Sequence, residues 1–263
     1  MDTISLLGSG WLGLPLAQHF IQKGHDVKTS TTSEVRMDKL KSIGAIPFIV
    51  NIDALDRDIT PFLQTDILIV NIPSKNRAGF RTLVNRIAES EIRKVLYVSS
   101  TSVYENVGRI LTEADTEYFA TSPLLEIEDL FQSCAEFKTT VVRFGGLIGP
   151  GRHPGNFFRS GKVVQNPDSP VNLIHLDDCI GIVEKIVRQN VWGETLNCCA
   201  DTHPTKRKFY TQAAIQAGCK QPEFEEADAR PGKVISNEKV KQFLDYEFKH
   251  PDLMKIVFNK DSR

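Results

Sequence analysis

The chain has 263 residues, of which 41% are hydrophobic and 25% are charged, and its formal net charge is -1. These values are typical of a soluble globular protein, either one large α/β domain or a nucleotide domain with a smaller partner. So small a charge excludes nucleic acid and anionic membranes as partners attracted by the protein's overall field.

No apolar stretch reaches transmembrane length, and the first residues do not form a signal peptide. Five cysteines without a C-x-x-C pair argue against a disulfide or zinc framework, and a reducing compartment suits them. We therefore expect a cytoplasmic protein that acts on a small molecule.

Short apolar runs alternate with amphipathic helical patterns through the first half of the chain. The predicted strands are TISLLG, HDVKTST, PFIVNI, DILIVNI, KVLYVSS and TTVVRFGGLIG. The predicted helices are LPLAQHFIQKG, one that ends at Ile43, one within GFRTLVNRIAES, and SPLLEIEDLFQSCAEF, which Ser122 can cap. This βαβ alternation predicts a Rossmann-like α/β fold, with a doubly wound, mostly parallel sheet and helices on both faces.

The texture of the sequence changes after Gly149. A Gly- and Pro-rich loop, PGRHPGNFFRSGKVVQNPDSP, is followed by the helix CIGIVEKIVRQN, the strand TLNCC and the helix KRKFYTQAAIQAG. We predict a dinucleotide-binding core over residues 1–149 and a small discontinuous substrate lobe within residues 150–263. Residues from about 171 to 200 are expected to return to the core.

Three glycines, Gly8, Gly10 and Gly13, stand in G-x-G-x-x-G spacing between the first strand and the first helix. In a dinucleotide site the first glycine makes the tight turn, the second lets the pyrophosphate approach, and the third lets helix and strand pack closely. The helix N-terminus then offers free N–H groups to the phosphates. The alternative is a plain strand–turn–helix. The context favours a dinucleotide-binding turn, formed by Gly8, Gly10, Trp11, Leu12 and Gly13.

The end of the second strand predicts which nucleotide binds. An NAD site usually has a carboxylate here for the ribose 2′-OH, whereas this strand ends in the hydroxyls of Thr31, Thr32 and Ser33, with Arg36 one turn later. These groups can receive a 2′-phosphate, so the pattern favours NADP over NAD. Thr31 and Glu34 also match a capping box, which is compatible with that prediction.

Three later motifs, LYVSSTSVYE, VVRFGGLIGPGRHP and NLIHLDDCIGIV, follow the glycine-rich turn in this order. Together they resemble the extended short-chain dehydrogenase/reductase family. The segments GSGWLG, NIPSK, GETLNCCADTHPTKRKFY and KVISNEKVKQFL are similar to its atypical, NAD(P)-binding epimerase/dehydratase-like branch. The resemblance covers nearly the whole chain. It implies an oxidoreductase or epimerase that acts on a small substrate, with a sugar-like molecule among the candidates.

The resemblance also implies roles for single residues. Ser100 matches the active-site hydroxyl that hydrogen-bonds the substrate oxygen; the alternative is a strand-end serine making a local turn bond. The loop after the fourth strand is expected along the cofactor, and two further residues near the substrate, where an arginine can hold an anion. These positions are Asn71, Ile72 and Pro73 for the cofactor, and Thr101 and Arg152 for the substrate.

The family's catalytic Tyr-x-x-x-Lys pair is incomplete in this chain. Tyr118 is present, but Ser122 stands four residues later, and the next lysine is Lys138. A free tyrosine has a pKa of about 10, too high for a base near neutrality without a neighbouring cation. Glu126, Glu128 and Asp129 follow instead, and we interpret them as water-facing residues that complement the helix dipole.

Two classes of function therefore remain open. One is an NADP-dependent enzyme that uses Ser100 with Tyr118, and the other is an NADP(H)-binding sensor or scaffold without turnover. His175-Leu176-Asp177-Asp178 is interpreted as a structural motif in which Asp177 or Asp178 caps a helix. The other histidines lack metal-ligand spacing, so no metal site is predicted.

Overall fold

In the computed structural model, residues 2–55, 57–158, 161–225 and 231–258 are described. The chain forms two compact units. Unit 1 comprises Met1–Ser99, Thr121–Val142 and Val183–Thr195, and unit 2 comprises Ser100–Ala120, Arg143–Ile182 and Leu196–Arg263. Within the described ranges, no helix combines the length and apolar character that a membrane span requires. The functional division into a core over 1–149 and a substrate lobe stays a prediction.

Strands and helices alternate along most of the chain. The strands are β1 (Thr3–Leu7), β2 (Asp26–Thr31), β3 (Ile46–Ile49), β4 (Ile67–Val70), β5 (Lys94–Ser100), β6 (Ile110–Leu111), β7 (Lys138–Phe144), β8 (Gly146–Ile148), β9 (Leu173–His175), β10 (Thr195–Cys198) and β11 (Val234–Ile235). The helices are α1 (Gly13–Gln22), α2 (Met37–Ser42), α3 (Thr60–Leu63), α4 (Arg77–Ala88), α5 (Pro123–Gln132), α6 (Leu176–Gln189), α7 (Lys206–Gln216) and α8 (Glu238–Leu244).

The main sheet has seven strands in the order β10-β7-β5-β4-β1-β2-β3. β1 pairs in parallel with both β2 and β4, β2 with β3, and β4 with β5. The predicted α/β fold with a doubly wound parallel sheet is therefore confirmed. The strand order reverses at β1, and in such sheets a ligand binds beyond the carboxyl ends of the strands at this switch point.

The core of unit 1 follows directly from helical and strand periodicity. Along α4, Phe80, Leu83, Val84 and Ile87 recur with helical spacing and all are buried. Aromatic rings close this core, with Tyr97 stacked on Phe131 at 5.0 Å between centroids. α5 begins as predicted, because the Ser122 hydroxyl accepts a hydrogen bond from the backbone N–H of Leu124.

Unit 2 contains two small two-stranded sheets, β6 with β11 and β8 with β9. A second core packs beneath them, formed by Ile148, Val171, Leu173, Ala200, Phe209, Leu253 and Ile256. The predicted strand TTVVRFGGLIG is divided into β7 and β8 at Gly145. A Cβ there would lie 2.8 Å from the carbonyl oxygen of Asn172, so only glycine allows this close approach.

Two predicted helix caps are wrong. The Thr31 hydroxyl accepts a bond from the nearby Ser33 N–H and not from the Glu34 N–H, so the capping box does not form. α6 begins at Leu176, before either aspartate, and the Nδ1 atom of His175 accepts a bond from the Asp177 N–H. A histidine ring nitrogen thus takes the place of the predicted carboxylate.

Two carboxylates that were expected in solvent-facing or capping positions are buried. Asp178 is fully buried and accepts bonds from the hydroxyl of Tyr246 (2.9 Å) and from the backbone N–H groups of Lys249 (2.7 Å) and His250 (3.0 Å). Glu128, predicted to face water, is 1% exposed and accepts a bond from the Ser99 hydroxyl. Both positions depend on partners distant in sequence, which a helical pattern does not reveal.

Candidate functional site

The glycine turn between β1 and α1 requires glycine at two positions for steric reasons. Gly8 has φ 107°, and a Cβ there would lie 2.3 Å from the carbonyl oxygen of Asn71. At Gly13 a Cβ would lie 1.8 Å from the carbonyl oxygen of Gly8, so the beginning of helix α1 packs directly against the glycine turn. These contacts hold the backbone in one conformation.

Gly10 is different, because it has open space where its side chain would be. No atom lies within 4 Å of a Cβ built at this position. Its backbone is exposed at the tip of the turn, immediately before α1. A pyrophosphate that approaches the turn needs such an unobstructed stretch of backbone.

The N-terminus of α1 is suited to an anion. Its first turn contains no acidic residue, and the N-cap residue, Leu12, makes no side-chain cap bond. In the first turn the Leu14 N–H donates to the Gly10 carbonyl at 3.0 Å and Pro15 has no N–H, so the helix end attracts an anion mainly through the positive end of its dipole. Close in sequence to this helix end, Ser9 is 3% exposed, and its buried hydroxyl has no hydrogen-bond partner among the described residues. The turn, the helix end and this orphaned hydroxyl together fit the phosphates of a dinucleotide.

Residues from β2 and from the segment after it hold the glycine turn in place through hydrogen bonds. The Ser30 hydroxyl accepts a bond from the Gly8 N–H at 2.8 Å, and the Ser30 carbonyl accepts one from the Ser9 N–H at 3.2 Å. Arg36 donates from its guanidinium to the carbonyl oxygen of Ser9 at 2.6 Å. The Arg36 side chain therefore leans back over the glycine turn and brings a positive charge to it.

The end of β2 carries hydroxyls at the place where an NAD site usually carries a carboxylate. Thr31 is buried, Thr32 is exposed, and Ser33 is half-buried. On the other side of the turn, the Asn71 N–H donates to the Leu7 carbonyl at 2.8 Å, and this bond extends the pairing of β1 and β4. Ile72 and Pro73 follow as half-buried and exposed residues.

In unit 2, Ser100 ends β5 and is the N-cap of a short 3-10 turn, Thr101–Val103. Its hydroxyl accepts a bond from the Ser102 N–H at 3.1 Å. This is the local turn bond that the sequence offered as the alternative to an active-site role. Thr101 lies within the turn and is 5% exposed.

Tyr118 is paired with a cation that stands nine residues before it in the chain, whereas the expected lysine would stand four residues after it. The Arg109 guanidinium donates to the Tyr118 hydroxyl, and its central carbon lies 5.2 Å from the centre of the ring. Among the described residues, no hydrogen bond joins Tyr118 to Ser100. A guanidinium thus stands at this phenol, although no lysine stands four residues later.

The sequence did not predict the buried polar group around Tyr104. The Tyr104 hydroxyl donates to Asn197 at 3.1 Å and accepts from Arg143 at 2.7 Å, while the Arg143 guanidinium lies 4.8 Å from the ring centre of Phe119. Burial is the main cause that raises the pKa of the Tyr104 phenol. Tyr104, the aromatic residue in S-S-x-x-V-Y, is therefore a structural one.

Arg152 is exposed. It lies in a turn closed by a hydrogen bond from its own N–H to the Gly149 carbonyl.

The chain is similar to a curated protein and to many solved structures, while no family model matches it. It is 29% identical to protein YeeZ of Escherichia coli (strain K12) over 269 residues, covering 96% of this chain and 97% of YeeZ. A short-chain dehydrogenase/reductase superfamily protein of Agrobacterium tumefaciens, solved with bound NAD, has a TM-score of 0.76 at 15% identity and covers 94% of this chain and 92% of its own.

The UDP-glucuronic acid 4-epimerase of Bacillus cereus, solved with UDP-glucuronic acid and NAD, has a TM-score of 0.75 at 17% identity, with 94% of each chain covered. The fold is accordingly the Rossmann-like fold of nicotinamide-dinucleotide proteins. It is the fold of these two solved structures, one a short-chain dehydrogenase/reductase superfamily protein and the other a UDP-glucuronic acid 4-epimerase.

Proposed function

We propose that this protein binds NADP(H), and NAD(H) less tightly, and that it is an NADP-dependent oxidoreductase or epimerase of the short-chain dehydrogenase/reductase family. The observation that carries the proposal is the glycine turn at the strand-order switch point, with its open position at Gly10. When bound, the nicotinamide group accepts or donates a hydride. The backbone around Gly8, Gly10 and Gly13 would hold the pyrophosphate, and Asn71-Ile72-Pro73 would lie along the cofactor.

The preference for NADP rests on charge and hydroxyl groups. Thr31, Thr32 and Ser33 place no carboxylate that would repel a 2′-phosphate, and Arg36 is already bonded to the turn through Ser9. A guanidinium with exposed N–H groups suits a phosphate, which it can bind through two parallel hydrogen bonds. The similar solved structures contain NAD, so the proposed preference for NADP rests only on the residues at the end of this chain's second strand and on Arg36.

For the chemistry, we assign Ser100 to the hydrogen bond with a substrate oxygen and Tyr118 to proton donation. A neutral phenol can donate a proton as a carbonyl is reduced, whereas the reverse reaction requires a phenolate. We therefore expect a weak reductase. Arg152 and Thr101 are assigned to the substrate, with Arg152 holding an anionic group. A sugar-like substrate is favoured because the similar epimerase acts on a UDP-sugar.

A second candidate function is a sensor or scaffold that binds NADP(H) without turnover. The observation that favours it is the hydrogen bonding of the two assigned residues. The Ser100 hydroxyl accepts its bond from Ser102, and the Tyr118 hydroxyl is bonded to Arg109. The two functions share the same nucleotide site, so nucleotide binding alone does not distinguish them.

The first experiment measures nucleotide binding by fluorescence titration with NADPH and with NADH. We expect saturable binding of both, with NADPH the tighter ligand. Absence of binding of either nucleotide at millimolar concentration would contradict both candidate functions. Tighter binding of NADH would contradict only the preference for NADP.

The second experiment measures NADPH consumption with a panel of carbonyl compounds and nucleotide sugars. We expect slow turnover that falls roughly 100-fold or more in Tyr118→Phe, as loss of a general acid predicts, and falls also in Ser100→Ala. Tyr97→Phe is the matched control, because that phenol is buried in the aromatic core of unit 1. Tight binding without any turnover favours the sensor. Turnover that is unchanged in Tyr118→Phe contradicts the assignment of Tyr118 alone.

A further inference from the structure

Two histidines and an aspartate meet in unit 2, outside the positions assigned to nucleotide and substrate. The Asp177 carboxylate oxygen Oδ2 lies 3.3 Å from Nδ1 of His175 and 3.0 Å from Nε2 of His250. The two imidazole rings are 3.9 Å apart between centroids. One possible ligand atom from each residue lies within 4.8 Å of the other two. We refer to these residues as the His–Asp–His cluster.

The backbone positions of these three residues are set by secondary structure and by hydrogen bonds. His175 ends β9 and is 8% exposed, and Asp177 stands in the first turn of α6. His250 comes from the C-terminal segment, where the buried Asp178 carboxylate accepts bonds from the backbone N–H groups of Lys249 and His250. His175 would lose little conformational freedom if the cluster bound an ion, because its ring is already buried.

Two of the three separations within the cluster agree with tetrahedral metal coordination. With bonds of about 2.0–2.1 Å to nitrogen and oxygen, two ligand atoms on a tetrahedral zinc ion are separated by roughly 3.3 Å. The separations of 3.0 and 3.3 Å around Asp177 are of this size, and the two ring nitrogens, which lie within 4.8 Å of each other, would meet the same requirement through rotation of the half-buried His250 side chain. Two imidazoles and one carboxylate are also a ligand set typical of sites that keep one coordination position open.

A cavity of about 270 Å³ adjoins the cluster and offers room for that open position. It is lined by Gly149, Pro150, His153, His175, Asp177, His250, Val257 and Phe258. His153 is 7% exposed, and its ring packs against Phe258 at 4.6 Å between centroids. A water molecule or a small anionic ligand on the metal would enter this cavity.

We propose that His175, Asp177 and His250 bind one divalent first-row transition metal ion, of the zinc type, with a fourth position open to the cavity. The ligand atoms are Nδ1 of His175, Oδ2 of Asp177 and Nε2 of His250. For Nε2 of His250 to bind the metal, the proton of its hydrogen bond to Asp177 must leave that nitrogen, and the neutral ring then carries its proton on Nδ1. The Asp177 N–H gives up its 3.2 Å bond to His175, and as a first-turn N–H it has no intrahelical acceptor in any case.

The experiment is a calorimetric titration of the EDTA-treated, reduced and dialysed full chain with Zn²⁺, and a Co²⁺ titration followed by visible absorption. We expect one tight site per chain and the absorption of tetrahedral Co²⁺ with nitrogen and oxygen ligands. His250→Ala and Asp177→Asn should each weaken Zn²⁺ binding by at least roughly 10- to 100-fold, because even the loss of an outer-shell partner has that effect. Asp177 is half-exposed, so its substitution by asparagine leaves the core intact.

The matched control is His19→Gln, because His19 and Glu184 form a histidine–carboxylate pair at 2.9 Å outside the cluster. This variant should bind Zn²⁺ like the wild type. Equal Zn²⁺ affinity in Asp177→Asn and the wild type would overturn the proposal, as would a thiolate charge-transfer band with Co²⁺, which would place the metal on cysteines. Absence of tight binding by the wild type would also overturn it and would leave a proton-sharing cluster. None of these readouts depends on nucleotide binding or turnover.

Discussion

The glycine turn of unit 1 and the Ser100–Tyr118 segment of unit 2 differ in what they are made of. The turn consists of backbone held by steric contacts, such as the 1.8 Å that would separate a Cβ at Gly13 from the Gly8 carbonyl. The Ser100–Tyr118 segment depends on side chains, and its tyrosine pairs with Arg109. A site built from backbone tolerates wide sequence change outside its glycines, whereas a proton-transfer site changes with a single side chain.

The comparison therefore suggests that nucleotide binding and chemistry are separable in this fold. A chain can keep the complete turn while its proton-transfer groups are exchanged. The following four experiments test each region independently of the other.

The largest effect is expected for Gly10→Val. A Cβ at this position meets no atom within 4 Å, so the variant should fold normally. Its side chain occupies the space that the pyrophosphate needs, so NADPH binding should fall below detection at millimolar concentration. Fluorescence titration measures the binding, and the unfolding temperature serves as the control. Wild-type affinity in this variant would show that the nucleotide binds elsewhere.

Gly13→Ala should affect folding directly. Its Cβ would meet the Gly8 carbonyl oxygen at 1.8 Å, and overpacking of this severity costs about 3 kcal/mol of the free energy of unfolding. Urea denaturation measures the loss. The contrast with Gly10→Val sharpens the comparison, because one glycine serves packing and the other serves the ligand. A stability loss in Gly10→Val as large as in Gly13→Ala would contradict this division.

Arg36→Ala tests the nucleotide preference. We expect NADPH to bind about tenfold more weakly, which corresponds to about 1.4 kcal/mol, while NADH affinity stays nearly constant. Lys41→Ala is the matched control, since this exposed lysine is paired with Asp38 at 3.5 Å and lies at the end of α2. An equal loss for NADPH and NADH would mean that Arg36 supports the turn through Ser9 without recognising a 2′-phosphate.

The smallest effect on stability is expected for Ser100→Ala. Loss of its bond from Ser102 should cost up to about 1 kcal/mol of the free energy of unfolding, as for other N-cap serines. Ser122→Ala is the matched variant, because Ser122 caps α5 through the Leu124 N–H at 3.3 Å. Similar stability losses, with NADPH consumption reduced only in Ser100→Ala, would support the catalytic assignment. Equal turnover in both variants would leave Ser100 as a turn residue.

Most of the main sheet could be predicted because its signals are local. Apolar strands, capped helices and the glycines of the first turn can each be recognised from a few consecutive residues. The segments that the sequence analysis left out are short or pair at a distance, such as β6 with β11, whose strands have two residues each. The helix α8 has only seven residues and follows a stretch without a clear apolar period, so the sequence pattern does not predict it.

The candidate site divides in the same way. The glycine turn could be predicted because its steric requirement is visible as glycine. The Arg109–Tyr118 pair could not be predicted, because it depends on how the chain folds back between two residues nine positions apart. The His–Asp–His cluster could not be predicted either, because it joins residues 73 positions apart. The predicted cap at Asp177 or Asp178 was wrong because α6 begins before both residues, and the position of Asp178 depends on a distant partner. The buried Asp178 accepts from Tyr246, far along the chain, and a local pattern contains no trace of that partner.

The buried carboxylate of Asp178 also sets an order of events during protein synthesis. Its hydrogen-bond donors lie 68, 71 and 72 residues further along the chain. Until the ribosome has released those residues, burial of Asp178 would leave a charge without partners, at a prohibitive cost. The nascent chain is therefore expected to keep the start of α6 hydrated, and unit 2 to close only after Tyr246, Lys249 and His250 have left the ribosome. Unit 1, whose last residue is Thr195, is free to fold earlier.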